Sequence, residues 1–342
     1  MDNSLVDPVE EGLYEHYRIV ADKGQSPLRI DKFLFNRIES VSRNKIQKAA
    51  EDEMVFVNDI AVKSNYKIKP GDVIRVMLPE PKMEHDVEPE NIALNIIYED
   101  DDIVVVNKPP GLVVHPGVGN YTGTLVNGLV YHFQNLPAQK KNEFRPGLVH
   151  RIDKNTSGLL VVAKNEHAMN FLGRQFSDHS IQRTYQAIVW GTFKQLQGTV
   201  TGNIGRSLKN RKMMDVFPDG DYGKEAVTHY TELQNLSYVS LIECRLETGR
   251  THQIRAHMKF ISHPVFNDET YGGDKIVKGT VYSKYKQFVE SCFQVIPRHA
   301  LHAKSLGFIH PSSRQFVFFD SDLPADFSTV LKKWQTYMKA KM

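Results

Sequence analysis

The residues with the clearest capacity for chemistry lie in one short segment, His150–Gly158, with the sequence HRIDKNTSG. Its carboxylate, Asp153, has a cation on either side, Arg151 and Lys154. Because nearby positive charge favours the ionised form of a carboxyl group, we expect Asp153 to be a carboxylate available for reaction. A turn of Asn, Asp, Thr and Ser with solvated charges explains the same residues, and the local pattern leaves both interpretations open.

Two apolar runs flank this segment and would position it. Leu148–Val149 precedes it and Leu159–Ala163 follows it. Short, valine-rich apolar runs are typical of buried strands, and the polar stretch ending in Ser157–Gly158 predicts a loop between them. Packing alone explains poorly why a charged loop should be held between two buried strands.

Histidines near Asp153 indicate metal binding as a second chemistry. A histidine and a carboxylate spaced like His150 and Asp153 can bind zinc or manganese, and His252 and His257 lie further along the chain. However, the chain contains no H-E-x-x-H pattern and no Cys/His cluster. We therefore predict no metal site, which disfavours a metal-dependent phosphodiesterase built on His150 and Asp153.

The composition is that of an ordinary globular chain long enough for two unequal domains. Its 342 residues are 41% hydrophobic and 24% charged, with a formal net charge of only +3, so any basic surface must be local. Two cysteines cannot form a disulfide framework, and we find neither a signal-peptide pattern nor an apolar run long enough to span a membrane. These features predict a cytoplasmic protein without a membrane partner, and we favour a monomer.

The pattern along the chain predicts four regions. They are a flexible start with a short strand near His16–Val20 (1–27), a small domain (28–78), a proline-spaced charged linker (79–91) and a larger domain (92–342). The small domain has two helical stretches, the second opened by a Ser42 cap, and then a hairpin turning at Asn58-Asp59. It holds ten Lys/Arg against seven Asp/Glu, an excess equal to the net charge of the whole chain.

This small domain resembles S4-type RNA-binding domains. The matching segments are Arg29-Ile30-Asp31, Ser42-Arg43 with Ile46-Gln47, Val55–Asn58 and Pro70-Gly71-Asp72. It departs from that pattern at Glu53, where the family usually has glycine before the first strand, and at its Asn-Asp turn. The resemblance implies RNA binding, and Arg43, Lys45 and Lys48 lie close together on the second helix where they could meet phosphates.

The larger domain is rich in strands, which come in hairpin-like runs. Predicted strands include Ile96–Tyr98, the run from Ile103, Tyr185–Trp190, Val227–Leu233, Ser240–Leu246 and Phe316–Phe319. Predicted helices are Thr124–Phe133, Glu166–Ser177, His252–Ile261, Val281–Phe293 and Phe327–Lys341. We therefore predict an α+β fold with a large, mainly antiparallel mixed sheet flanked by helices.

Several segments, in order, resemble the RluA-type pseudouridine synthases. They are Asn107–Gly111 with Val114-His115-Pro116, His150–Gly158, Arg183-Thr184-Tyr185, and Thr248–His257. The resemblance spans residues 28 to 320, including the small domain. Ile152 and Asn155 stand where the family often has Leu and Asp, and neither change touches the expected chemistry.

The resemblance implies isomerisation of a uridine within RNA, without a cofactor. Asp153 matches the catalytic aspartate, and Arg255 matches the arginine that pairs with it. Tyr185 matches the active-site tyrosine, which stacks on uracil and is a candidate to accept the C5 proton. Arg151 matches the residue that fills the gap left by the extruded uridine. It further implies substrate contacts by three residues, namely His150, Thr156 and Ile254.

The nearest resemblance within the family is to enzymes of large-subunit (23S) ribosomal RNA. This predicts ribosomal RNA as the partner, within an assembling large subunit. Transfer RNA or another ribosomal site is the alternative target. A catalytically silent assembly factor that only binds RNA is the alternative from a different class, and retention of Asp153, Tyr185 and Arg255 argues against it.

Overall fold

The computed structural model describes residues 14–38, 41–78, 87–117, 120–133, 136–137, 146–210, 213–280 and 282–340. The chain divides into two compact units. The first comprises Met1–Glu88 with Pro116–Tyr121 and Ala138–Pro146, and the second comprises Pro89–His115, Thr122–Pro137 and Gly147–Met342. Most of the predicted flexible start (1–13) and of the predicted linker (79–86) lies outside the described residues.

The first unit is a small α+β body. Its elements are β1 (Tyr14–Val20), α1 (Ile30–Arg37), α2 (Arg43–Glu51), β2 (Val55–Val57), β3 (Ile60–Ala61) and β4 (Val73–Leu78). The strands form an antiparallel sheet in the order β1-β4-β2-β3. Both helices bury apolar side chains against it, among them Phe33, Leu34 and Ile46.

Local signals in this unit confirm the predicted turns. Ser42 caps α2, its hydroxyl accepting a hydrogen bond from the Lys45 amide at 3.4 Å. Asn58 and Asp59 have φ values of 50° and 65°, the left-handed pair that a tight hairpin turn requires. Glu53 is also left-handed, with φ of 58°, so the position that usually carries glycine keeps its conformation without it.

The second unit is built on one large sheet. Its strands are β5 (Ile96–Glu99), β6 (Ile103–Lys108), β7 (Ser157–Ala163), β8 (Gln182–Trp190), β9 (Gln197–Arg206), β10 (Met214–Phe217), β11 (Lys224–Asn235), β12 (Val239–Leu246), β13 (Leu301–Ile309) and β14 (Phe316–Asp320). Its helices are α3 (Leu125–His132), α4 (Glu166–Ser177), α5 (Gln253–Phe260), α6 (Ser283–Val295) and α7 (Ala325–Lys339). The strand order is β10-β9-β11-β12-β8-β13-β7-β6-β5, with β14 on β13.

Every ladder in this sheet is antiparallel except β7 with β13, which confirms the predicted mainly antiparallel mixed sheet. Helix α4 packs Met169 and Leu172 over β6 and β7, where Val105 and Val161 are fully buried. None of the described helices is long and apolar enough to cross a membrane.

The structure corrects the predicted surroundings of the Asp153 loop. Leu148 forms only an isolated bridge to Val162, because Gly147, at φ of 70°, turns the chain there. Ser157 and Gly158 belong to β7 rather than to a loop. Strand β13 pairs with them, and its backbone passes so close that a Cβ on Gly158 would lie 2.2 Å from the Ala303 carbonyl oxygen.

Candidate active site

One cavity of about 260 Å³ in the second unit gathers the residues singled out from the sequence. Those lining it are His150, Arg151, Asp153, Thr156, Tyr185, Ile254 and Arg255. The fold brings them together from the loop before β7, from β8 and from α5. Residues more than 100 positions apart therefore share one concave surface.

Asp153 lines the cavity, and one of its two carboxylate oxygens accepts a side-chain hydrogen bond. Arg255 Nη1 donates to Oδ2 at 3.0 Å, and the Asp153 side chain keeps 18% of its surface exposed. Burial raises the pKa of Asp153, but its electrostatic interactions with His252, Arg255 and His299 and the hydrogen bond from Arg255 hold it below its usual value. Asp153 is therefore an ionised carboxylate at neutral pH.

Arg255 is fixed from the opposite side by a second carboxylate. Its Nε and Nη2 donate to the two oxygens of buried Asp268, at 2.7 and 2.9 Å. The Tyr271 ring lies 5.0 Å from the guanidinium carbon. Burial lowers the pKa of Arg255, but the hydrogen bonds and charges of Asp268 and Asp153 raise it overall. With the guanidinium held in one orientation, Nη1 is directed at Asp153.

His252 stands beside this pair in a strained backbone conformation. It precedes α5 with φ of 56°, a left-handed value uncommon for a residue with a side chain. Its Nδ1 lies 3.1 Å from the Tyr271 hydroxyl, and its Nε2 lies 4.0 Å from Asp153 Oδ1. Burial lowers the pKa of His252, so the imidazole is neutral at neutral pH.

The loop that carries Asp153 is clamped through its backbone carbonyls. The Lys154 carbonyl accepts from Lys108 Nζ and from the Gly111 amide, both at 2.9 Å. The Asn155 carbonyl accepts from Arg298 Nη1 at 3.0 Å. Lys108 is fully buried and also donates to the carbonyls of Pro109 and Leu112. Such anchoring holds the carboxylate at one place in the cavity.

His150 and Thr156 are each held in place by a hydrogen bond that involves a histidine ring. His150 Nε2 accepts from the Val161 amide at 3.0 Å, and its ring stacks on Phe176 at 4.5 Å. Burial, aided by the charge of Arg183, lowers the pKa of His150 to about 3, so its ring is neutral. The buried Thr156 hydroxyl lies 2.9 Å from His299 Nε2. Both His150 and Thr156 thus line the cavity from fixed positions.

The structure adds residues that the sequence interpretation did not assign. Lys108 lies within a recognised motif, and a lysine two residues after the Val104–Val106 run was the available signal. Asp268, Tyr271, Arg298 and His299 had no comparable signal, because they come from segments distant in sequence. Among the described residues, no group of three or more His, Cys, Asp or Glu is placed to hold a metal ion.

The three cations predicted to bind RNA lie in the first unit and differ from one another. Arg43 donates through Nε and Nη2 to Oδ2 of buried Asp31, at 3.0 and 2.9 Å. Lys48 forms an exposed i,i+4 pair with Asp52 at 2.8 Å, and Lys45 is exposed. Two of the Arg43 N–H donors are therefore used within the unit, whereas Lys45 and Lys48 are exposed to solvent.

The arrangement in the second unit suits covalent or proton-transfer chemistry on a small planar group. Asp153 offers one oxygen to the cavity, and the Tyr185 ring, 8% exposed, lines the same space. Apolar side chains, among them Val149, Ile152 and Leu246, complete the wall. A reaction that must exclude water fits such a site.

Comparisons with known proteins agree with this picture. Residues 102–260 match the family model for RNA pseudouridylate synthase, and residues 28–74 match that for the S4 domain. An RNA pseudouridine synthase from Chlorobaculum parvum is 44% identical over 93% of this chain and 97% of that protein. Ribosomal large subunit pseudouridine synthase D from Zymomonas mobilis is 45% identical over 89% of this chain and 93% of that protein.

A solved structure shares the fold. Human RNA Pseudouridylate Synthase Domain Containing 4 superposes with a TM-score of 0.53, at 23% identity over 70% of this chain and 93% of that one. The sequence relatives carry the assignment, since they match along most of both chains. The chain therefore belongs to the RNA pseudouridine synthase family and carries an S4 domain ahead of its synthase domain.

Proposed function

We propose that this enzyme converts specific uridines of large-subunit (23S) ribosomal RNA to pseudouridine, in the cytoplasm, with Asp153 as the catalytic carboxylate. The observation that carries the proposal is the Asp153 carboxylate, which has one oxygen bonded to Arg255 and lines a cavity with Tyr185. The ribosomal target is supported by the 45% identity to the Zymomonas mobilis protein, whose name specifies the ribosomal large subunit.

The chemistry needs the N1–C1′ bond of uridine to break and C5 to bond to C1′. Asp153 acts at the sugar, either by attack on C1′ or by removal of the C2′ proton. The ionised state of Asp153 serves both routes. Tyr185 stacks on the uracil ring and holds it near C1′ while it turns. Arg255, locked by Asp268, keeps Asp153 in one rotamer and one ionisation state.

The reacting atoms are unreachable within a stacked helix, so the uridine must be extruded. Arg151, exposed at the rim and 3.0 Å from His115 through its Nη1, fills the gap left in the RNA. His150, Thr156 and Ile254 shape the pocket for the extruded nucleotide. The S4 domain, residues 28–78, adds affinity through Lys45 and Lys48, and the assembling large subunit is the natural setting for this binding.

The test is a map of pseudouridines in total RNA from cells with and without this gene. Loss should erase pseudouridine at a few large-subunit positions and leave transfer RNA unchanged. Complementation with wild type should restore those positions, and complementation with Asp153→Asn should not. A change confined to transfer RNA would refute the target, and restoration by Asp153→Asn would refute the catalytic role.

A further inference from the structure

Arg183 is a buried cation that the site described so far does not use. It is the second residue of β8, it is 7% exposed, and it lines the cavity on the same face of the strand as Tyr185. Its guanidinium lies over the Phe176 ring, 5.5 Å from the centroid. On another side it meets Gly249, where an added Cβ would lie 2.8 Å from Nη1. The side chain is thus held firmly.

Arg183 differs from the other buried arginines in having no anion. Among the described residues, Arg255 pairs with Asp268 and Asp153, and Arg298 pairs with Asp326. In that same part of the chain Arg183 forms no ion pair, and its buried Nε has no hydrogen-bond partner. Burying an unpaired charge costs free energy of folding. Natural structures therefore retain one mainly where a bound ligand supplies the missing acceptor.

Asp153, Tyr185 and Arg183 interact electrostatically within the cavity. Burial raises the pKa of the Tyr185 phenol, the positive charge of Arg183 lowers it, and the negative charge of Asp153 raises it. Tyr185 therefore senses both charges, whereas the pKa of Asp153 is set mainly by burial and by His252, Arg255 and His299. Asp153, Tyr185 and Arg183 line one cavity, with Arg183 two residues before Tyr185 on the same face of β8. A uracil stacked on Tyr185 therefore lies beside the Arg183 side chain.

We propose that Arg183 donates hydrogen bonds to a carbonyl oxygen of the target uracil and stabilises the negative charge that develops there during the reaction. This inference rests on the proposed function. When N1–C1′ breaks, its electron pair stays on N1 and spreads over O2 and O4, so uracil leaves C1′ as an anion. C5 of that anion then bonds to C1′, the C5 proton is released to water, and N1 takes up a proton, so the product is an isomer of the uridine.

The surroundings make such a contact effective. Val149, Phe176 and Leu246 line the same cavity, and the guanidinium is held before substrate arrives. A preorganised donor in a low-dielectric site acts most strongly on charge that appears only in the transition state. Removing it should therefore lower the rate constant and leave the affinity for RNA nearly unchanged.

The first measurement is single-turnover conversion of a target RNA by the full-length protein. Arg183→Gln should lower the rate about 10²- to 10³-fold, as removal of one oxyanion donor does in other enzymes. Arg183→Lys, which keeps the charge without the planar fork, should fall between Arg183→Gln and wild type. Arg174→Gln, an exposed arginine on α4, is the matched control and should behave as wild type. A loss of RNA affinity without a loss of rate would overturn the proposal.

The second measurement identifies the atom contacted. RNAs carrying 2-thiouridine or 4-thiouridine at the target replace one carbonyl oxygen by a weak acceptor, and methylphosphonates neutralise the flanking phosphates. One thiocarbonyl should change the rate at least about tenfold more in wild type than in Arg183→Gln, as expected for groups in contact. Equal effects of both thio substrates in the two proteins would refute the contact. Coupling to a methylphosphonate instead would overturn the proposal by showing that Arg183 binds phosphate.

A stability measurement guards against misfolding as the cause of a slow variant. Arg183→Met removes the unpaired charge, so its melting temperature should equal or exceed that of wild type while its rate falls as for Arg183→Gln. A lower melting temperature would mean that Arg183 stabilises the fold and would contradict the proposal. If wild type itself formed no pseudouridine, the proposed function would fail. If wild type and all Arg183 variants were equally active, only this inference would fail.

Discussion

Two carboxylates, one in each unit, are both paired with arginine, yet they differ in how many hydrogen bonds they accept. Asp31 in the S4 domain is fully buried and accepts from Arg29, Arg43 and Gln47 side chains and from the Lys32 amide. Asp153 in the synthase domain accepts one side-chain hydrogen bond, from Arg255, and 18% of its side chain stays exposed.

The difference is in how many lone pairs remain available. Both of the Asp31 oxygens are occupied, so it acts as a junction joining α1 to α2. In the synthase domain Asp268 accepts from two of the Arg255 donors, and Asp153 accepts from a third. Arginine thus satisfies the Asp31 carboxylate completely and Asp153, the carboxylate proposed to be catalytic, only partly. Saturation, rather than pairing as such, separates the two roles.

The largest expected effect tests the unsaturated carboxylate. Asp153→Asn is nearly isosteric but cannot act as nucleophile or base, so single-turnover conversion should fall at least about 10⁴-fold while RNA binding persists. Because the pKa of Asp153 is lowered, the wild-type rate should show no acid limb from this group between about pH 7 and 5. Near-normal turnover in Asp153→Asn would contradict the catalytic role proposed for Asp153 and the contrast with Asp31.

Arg255→Lys should have the next largest effect. It keeps the charge but loses the fork that divides its donors between Asp268 and Asp153, so the rate should fall about 10²-fold. Adding it to Asp153→Asn should cause no further loss, since residues that act as a unit are far from additive. The readout is the same single-turnover assay with binding measured separately. Normal turnover would leave Asp153 in place and remove only its partner.

Asp31→Asn tests the saturated carboxylate and should affect stability rather than rate. It leaves Arg29 and Arg43 without their anion, at an expected cost of about 3 kcal/mol or less, because both arginines are partly exposed. Burial raises the pKa of Asp31, but the hydrogen bonds from Arg29, Gln47 and Arg43 hold it well below its usual value.

The pH dependence of that cost follows from the lowered pKa. The stabilisation should be complete above the ordinary carboxyl value of 3.8 and should be lost as the pH falls through the folded-state pKa. Denaturant unfolding of wild type and Asp31→Asn between about pH 3 and 7 measures the full stabilisation at the upper end and the beginning of its loss below 3.8. A rate defect in Asp31→Asn at saturating RNA, with stability unchanged, would mean that Asp31 contributes to catalysis, as proposed for Asp153, rather than to stability.

The smallest effect concerns the solvent-facing lysines of α2. Replacing Lys45 and Lys48 by Gln should weaken RNA binding and reduce the slope of log K against log salt by about 0.7 to 0.9 for each phosphate that is no longer neutralised. Lys23→Gln, an exposed lysine outside α2, is the control. Equal slopes for the double variant and this control would show that α2 does not bind RNA.

Local patterns in the sequence predicted the elements that local chemistry determines. Ser42 capped α2 as expected, α4 matched its predicted bounds, and the Asn58-Asp59 turn formed without glycine. The motif resemblance selected seven residues that line one cavity. Their proposed roles remain predictions, but their gathering from three segments follows from recognising the family rather than from any periodicity.

Sequence alone did not predict the features that depend on long-range pairing. Strand β13 was missed, although its parallel ladder with β7 places His302 beside Ser157. Asp268 was not assigned a role, because nothing local shows that Arg255 reaches it. Buried polar groups are satisfied by whatever the fold brings near, so their partners cannot be inferred from their neighbours in the chain.

The close passage of β13 at Gly158 sets an order of events during synthesis. The Asp153 loop is hydrogen-bonded to Arg298 and His299, and β7 is hydrogen-bonded to His302. These three residues are synthesised roughly 145 residues after their partners. At elongation rates of about 5–20 residues per second, the loop waits several seconds or more for these anchors. The nascent chain can therefore fold its S4 domain first, while isomerase activity should appear only after β13 has been made.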